Sequence, residues 1–237
     1  MNLLASEAAS RRGNIEYLYK TLYKSLSVAG GKAEITTEGE RCVFSITVPD
    51  AAESFFRPSL EDKIADLIAI NYKYEYFKRY VRAGGLKPVE YELLLSALIA
   101  ADLEEDKRYA LSRLLPPYAV DGSFIFTMKP LKKKWAEIVG YIPEYFAGSQ
   151  LKDFIGYIVD ERKGKKVYVS GGGVFDSRYN RLRRAHLIGD GECSLTKEII
   201  LSLSSEVVLD SKIDKDDEYY LKEFFGDKIF FGKGYFS

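Results

Sequence analysis

Between Lys166 and Phe231 short β-branched and aromatic runs alternate with amphipathic helical runs, and this ordering constrains the fold more than any other feature of the chain. KVYVS reads as a strand, Val174-Phe175 begins a second, and His186-Leu187-Ile188 is expected to close that second arm. SLTKEIILSL (194–203) reads as a helix, EVVLD as a strand, DKDDEYYLKEFF (214–225) as a helix and KIFF as a last strand. The order β-β-α-β-α-β defines an α/β unit with a small mixed sheet. A helical crossover returns the chain to the end of the sheet it left, so EVVLD and KIFF are expected to be parallel, with a right-handed connection.

Upstream the period changes twice. Ile15, Leu18, Leu22 and Leu26 recur at helical spacing before Gly30-Gly31, and KAEITTEG and RCVFSITVP then alternate with period two around Glu38-Gly39-Glu40, giving a helix and a β-hairpin. From 51 to 162 helical patterns take over. Ser59 is expected to cap a helix carrying Ile64, Leu67, Ile68 and Asn71, continued by Tyr72, Tyr76 and Tyr80. Pro88 suits a first helical position, and a further helix runs to Leu115 before Pro116-Pro117. DGSFIFTMKPLKKKW stays open between strand and helix; Leu131–Phe146, with Trp135, Ile138 and Ile142 inward, and Leu151–Val159 read as helices. The expected fold class is α+β: an α-β-β segment (1–50), a helical segment (51–162) and an α/β segment (163–237) whose sheet can also take in the N-terminal hairpin.

Composition excludes several classes. A chain of 237 residues with 46% hydrophobic content can bury a substantial core. Lys+Arg and Asp+Glu are 35 each, so no global field draws it to nucleic acid or an anionic membrane. Cys42 and Cys193 form no CxxC, a single histidine excludes a multi-His metal site, and no apolar run approaches the roughly 18 residues that span a bilayer. Neither metal nor cofactor is expected, and a reducing, cytoplasmic setting is.

LEDKIADLIAINYKYEYFKRYVR (60–82), DGSFIFTMKPLKKKW (121–135), LKDFIGYIVDERKGKKVYVS (151–170) and KEIILSLSSEVVLDS through EYYLKEFFGDKIFF (197–231) resemble the YtxC-like sporulation proteins of spore-forming bacteria. The resemblance covers roughly residues 60 to 231 and consists of apolar and aromatic positions rather than a chemical fingerprint. It implies a cytoplasmic protein associated with endospore formation, without an assigned activity or a catalytic residue to carry over, and a helix over 121–131.

Charge is distributed unevenly. From Arg162 to Arg184 eight Lys/Arg face one acid, Asp176, a balance of +7; from Asp190 to Asp227 eleven acids face four lysines, a balance of −7. Lys165, Lys166, Arg178, Arg181, Arg183 and Arg184 are therefore the candidate partner- or anion-binding residues. They can meet the acidic helix 214–225, a second copy of the chain or another protein, or bind nucleic acid or a phosphate ligand with Tyr168 and Tyr179 stacking on bases. Gly171-Gly172-Gly173 fits neither GxGxxG nor GxxxxGK[ST] and reads as a hairpin turn. Cys193 beside the helix-capping Ser194, with His186 seven residues away, is the remaining nucleophile candidate, weighed against a small buried cysteine. YKYEYFKRY (72–80) reads as an aromatic packing stripe rather than a base-stacking surface. The acids at 214–218 read as the first turn of a helix rather than a calcium loop. No catalytic signature stands in the chain, and an interaction protein is the expected class.

Overall fold

The structure, a computed structural model, describes residues 2–162, 165–189 and 191–232. In chain order the elements are β1 (Asn2–Ala8), α1 (Arg12–Val28), β2 (Lys32–Glu38), β3 (Arg41–Thr47), α2 (Asp50–Asp66), a π-helical turn (Leu67–Tyr72), α3 (Lys73–Tyr80), α4 (Pro88–Ala101) and α5 (Leu103–Leu111). They continue with β4 (Tyr118–Ala119), α6 (Val120–Thr127), α7 (Lys129–Tyr141), α8 (Gly148–Asp160), β5 (Lys166–Ser170), β6 (Gly173–Phe175), α9 (Ser194–Leu201), β7 (Glu206–Leu209), α10 (Lys215–Phe225) and β8 (Ile229–Phe231). The class is α+β, and among the described residues no helix is long and apolar enough to cross a membrane. Two compact units interleave along the chain: Met1–Lys73 with Leu103–Glu137, and Tyr74–Asp102 with Ile138–Ser237. A division at 50 and 162 follows the changes of local period, whereas packing assigns each middle helix to the sheet or helix that buries its apolar stripe.

The first unit is built on the sheet β2-β3-β1-β4, with β1 antiparallel to β3 and parallel to β4. The β2–β3 hairpin is the expected one, turning at Gly39 with φ +59°. β1 escaped the sequence reading because its inward positions are Leu3, Ala5 and Glu7, too weakly apolar to give a period-two signal. Leu3, Phe44 and Ile46 are buried on the same sheet face, and Ile15, Leu18 and Leu22 are buried on α1. The helix expected from Ser59 starts instead at Asp50, and Ser59 Oγ donates back to the Phe55 carbonyl at 2.8 Å. Pro58 lies inside it; burial of Phe56, Leu60 and Ile64 outweighs the local cost of the proline. The undecided segment at 121 is the helix α6, and α5 stops at Leu111, short of Leu115.

Two buried polar clusters flank the end of the π-helical turn. Glu7, fully buried, accepts from Tyr72 Oη (2.7 Å), Asn14 Nδ2 (3.2 Å) and the Ala8 N–H (3.0 Å), and burial holds its carboxyl above the usual carboxylate range. At the next residue Lys73, also fully buried, pairs with Asp106 at 2.8 Å; Trp135 Nε1 and Lys134 donate to the same carboxylate, each at 2.9 Å. π-turns insert an extra residue and rotate the following side chains, which here brings consecutive residues to two different buried partners.

The second unit is centred on α4, apolar almost all round, against which α8 and α9 pack. Its sheet has the order β6-β5-β7-β8: β6 is antiparallel to β5, β7 and β8 are parallel as expected of EVVLD and KIFF, and β5 is parallel to β7 as well. The N-terminal hairpin does not join this sheet; its free partner is β1, which pairs with β3 over seven residues and leaves β3 no vacant edge. Nor does 186–188 close the hairpin: Ala185–Ile188 is a 3-10 turn, and β6 is met instead by an isolated bridge from Phe175 to Arg181. Val167, Val169, Val207 and Leu209 point to the buried face. Tyr168, Phe175, Val208 and Phe230 are cross-strand neighbours on the other face.

Candidate functional site: an aromatic sheet face and a basic hairpin

The glycine run forms a two-residue hairpin turn, with Gly171 and Gly172 at φ +53° and +72°, both in the left-handed region that such turns demand. Gly173 is close-packed: a Cβ there would lie 3.1 Å from the Phe175 ring and 3.2 Å from Arg181 Nε. After Phe175 the chain doubles back around Asp176, whose carboxylate accepts from the backbone N–H groups of Arg178 (2.8 Å) and Asn180 (2.9 Å) and from Asn180 Nδ2 (3.1 Å). Leu182 N–H then returns to the Val174 carbonyl at 2.8 Å. This fold-back lays the Tyr179 ring against Tyr168, centroids 5.4 Å apart.

The result is a row of side chains across the sheet, Phe175, Tyr168, Val208 and Phe230 in adjacent register, with Tyr179 over one end. Tyr179 is 49% exposed and Phe230 46%, while Val208, flanked by Tyr168 and Phe230 on the neighbouring strands, is covered. At the other end Lys166 pairs with Glu206 at 2.9 Å and stands 5.5 Å from the Phe230 centroid. KVYVS and KIFF each show local alternation, but only strand register puts Tyr168 and Phe230 in one row.

The six candidate cations divide. Lys165, Arg178 and Arg181 are exposed and Arg183 half-buried, and none of the four side chains has a hydrogen-bond or ion-pair partner among the described residues. Lys166 belongs to the Glu206 pair. Arg184 is structural: its guanidinium donates to the Leu201 carbonyl at the end of α9 (2.8 Å). Buried Glu198 receives the N–H groups of Arg184 (2.9 Å) and Ala185 (2.7 Å), and burial raises its pKa. Arg162, counted with the basic run, donates to the Ala100 and Ile200 carbonyls at the ends of α4 and α9. Lys163 and Asp190 lie outside the described residues. The observed partners of the basic segment thus include α4, β7 and α9; the acidic α10 instead pairs Glu223 with Lys152 and Glu218 with Lys222, and Asp217 accepts from Thr196 N–H (2.7 Å) and Oγ (2.6 Å) at the start of α9.

Other chemistry finds less support. The Cys193 thiol is buried and pushed up to about 12, first by desolvation and then by Asp217, Asp216 and Glu192, the opposite of an activated thiolate. Among the described residues no group of three or more His, Cys, Asp and Glu could hold a metal ion. A cleft of about 280 Å³ between the hairpin and the start of α9 carries Arg181, His186, Lys212, Ser194, Asp214 and Glu198, a mixture of both signs. Of the tyrosine stripe, Tyr72 is buried and Tyr80 is 49% exposed. Comparison of the chain with family models, with curated proteins and with solved structures finds no match.

Proposed function

We propose that this is a non-enzymatic interaction protein whose contact surface is the open face of the C-terminal sheet with its basic hairpin, and whose partner is an acidic segment of another protein. The carrying observation is the Phe175–Tyr168–Val208–Phe230 row with Arg181 bridged to Phe175 at its end, the chain segments flanking β5 and β6 supplying Lys165, Arg178, Arg181 and Arg183, cations that no internal acid neutralises among the described residues. Apolar rings supply buried area, and unpaired guanidinium groups supply carboxylate recognition at the rim. The resemblance to YtxC-like proteins supports an endospore-forming, cytoplasmic setting, and two buried, unpaired cysteines accord with a reducing compartment.

The Tyr168–Tyr179 stack beside Arg178 favours one second reading, single-stranded nucleic acid, since successive bases stack on such rings with phosphates at the cations. Anisotropy titrations of the full chain with a labelled Glu/Phe-rich peptide and a labelled single-stranded oligonucleotide, each at two salt concentrations, separate the two. Peptide binding abolished in Arg178→Glu/Arg181→Glu/Arg183→Glu supports the proposal; tighter oligonucleotide binding, falling with salt by about 0.7 log units per log unit for each phosphate contacted, transfers the surface to nucleic acid. Binding of neither probe, or binding indifferent to the triple variant, removes the surface. Arg184 is left intact because it closes α9.

A further inference from the structure

We propose that two copies of the chain associate through the outer edge of β2, joining two four-stranded sheets across a two-fold axis. β2 is an edge strand of seven residues, none of them buried, whereas the other sheet-edge strands, β4, β6 and β8, have two or three. A long uncovered edge presents a row of backbone donors and acceptors to another strand.

Which groups it presents follows from the hairpin. The Ala9 N–H donates to the Glu40 carbonyl, so even-numbered residues of β3 turn their backbone groups toward β1 and odd-numbered ones toward β2. In the β2–β3 register Arg41, Val43, Ser45 and Thr47 stand opposite Glu38, Thr36, Glu34 and Lys32. Ala33, Ile35 and Thr37 therefore direct their N–H and C=O groups outward.

A two-fold axis makes the pairing antiparallel, and three self-pairings overlap most of the strand. Ile35 opposite its own copy pairs Ala33 with Thr37, giving about six inter-chain backbone hydrogen bonds. It also sets each Lys32 opposite a Glu38, on the non-hydrogen-bonded pairs where side chains approach most closely, and each Glu34 opposite a Thr36. A shift by one pair in one direction puts Glu34 opposite Glu34, and in the other puts each Glu34 opposite a Glu38. Like charges directly opposed destabilise a sheet. Only the Ile35-centred register combines full overlap with opposite charges, and no side chain of Lys32, Glu34 or Glu38 has a hydrogen-bond or ion-pair partner among the described residues. The charges that usually protect an edge are here self-complementary.

Sedimentation velocity of the full chain over a concentration series tests this. The expected result is a reversible dimer; Glu38→Lys, which sets lysine against lysine twice, weakens it at least about tenfold, and Lys32→Glu/Glu38→Lys restores it. The restoring variant carries the same altered side chain beside Arg41, so a mere loss of hairpin stability would not be rescued. Arg178→Glu/Arg181→Glu/Arg183→Glu should leave the dimer unchanged, which keeps this interface distinguishable from the proposed contact surface. A chain monomeric at roughly millimolar concentration, or a dimer indifferent to Glu38→Lys or not rescued by the exchange, overturns the proposal.

Discussion

Glu7 shows how one residue can sit in a strand and yet carry no strand signal. Its carboxylate lies on the buried face of β1 with Tyr72, Asn14 and the Ala8 N–H as donors, and burial outweighs those donors in setting its pKa above 4.5. A raised pKa means that the folded state binds the proton more tightly than the unfolded chain. The stabilising contribution is complete below about 4.5 and is lost as pH rises through the folded value. Asp62 and Asp121, shifted down, act in the opposite sense below 3.8. Thermal melts should therefore show the native chain gaining stability relative to Glu7→Gln as pH is lowered from 7 toward 4.5; parallel curves for the two would contradict it. Tyr72→Phe, which removes one hydrogen bond to the buried Glu7 carboxyl, should cost about 1–3 kcal/mol in denaturant unfolding. Tyr72 was legible as a packing residue from its helical spacing, but its partner 65 positions away was not.

At the scale of elements, the helices following Asp50 are held by packing against local preference. Pro58 and Ser59 argue for a boundary, and the chain runs helical from Asp50 through the π-turn to Tyr80 because its buried stripe has a surface to cover. Lys73 joins α3 to α5 through Asp106 with both side chains fully buried. Removing one charge of such a pair strands the other in a low-dielectric site, so Asp106→Asn should lower stability by about 3–5 kcal/mol. The asparagine can still accept from Trp135 Nε1, and adding Lys73→Met should recover most of the loss. Equilibrium unfolding followed by Trp135 fluorescence measures both, and a double variant no better than the single one would show that the charge itself was not the cost. The hairpin at Gly171-Gly172 is the opposite case. Its turn residues, flanking strands and lack of a following helix were all readable, because a two-residue turn is specified within a few positions.

At the scale of the whole molecule, the C-terminal strands and helices form an α/β order but do not make a self-sufficient body. α9 packs against α4, and α10 against α8, both contributed from before residue 163. An isolated 163–237 fragment should lack a cooperative thermal transition and show poor amide dispersion by NMR, whereas a sharp melt would mean that α4 and α8 are dispensable. Sequence by itself determined most of the helices, the β2–β3 hairpin, the parallel pairing of β7 with β8 and the position of the Gly171-Gly172 turn, since period, turn chemistry and crossover geometry act over short stretches of chain. Tertiary structure alone decided that β1 completes a separate N-terminal sheet, that Arg162 and Arg184 close helix ends while Arg178, Arg181 and Arg183 do not, and that Tyr168, Val208 and Phe230 share a face. Those outcomes depend on register and on which distant groups bury one another, and no local pattern of side chains encodes either.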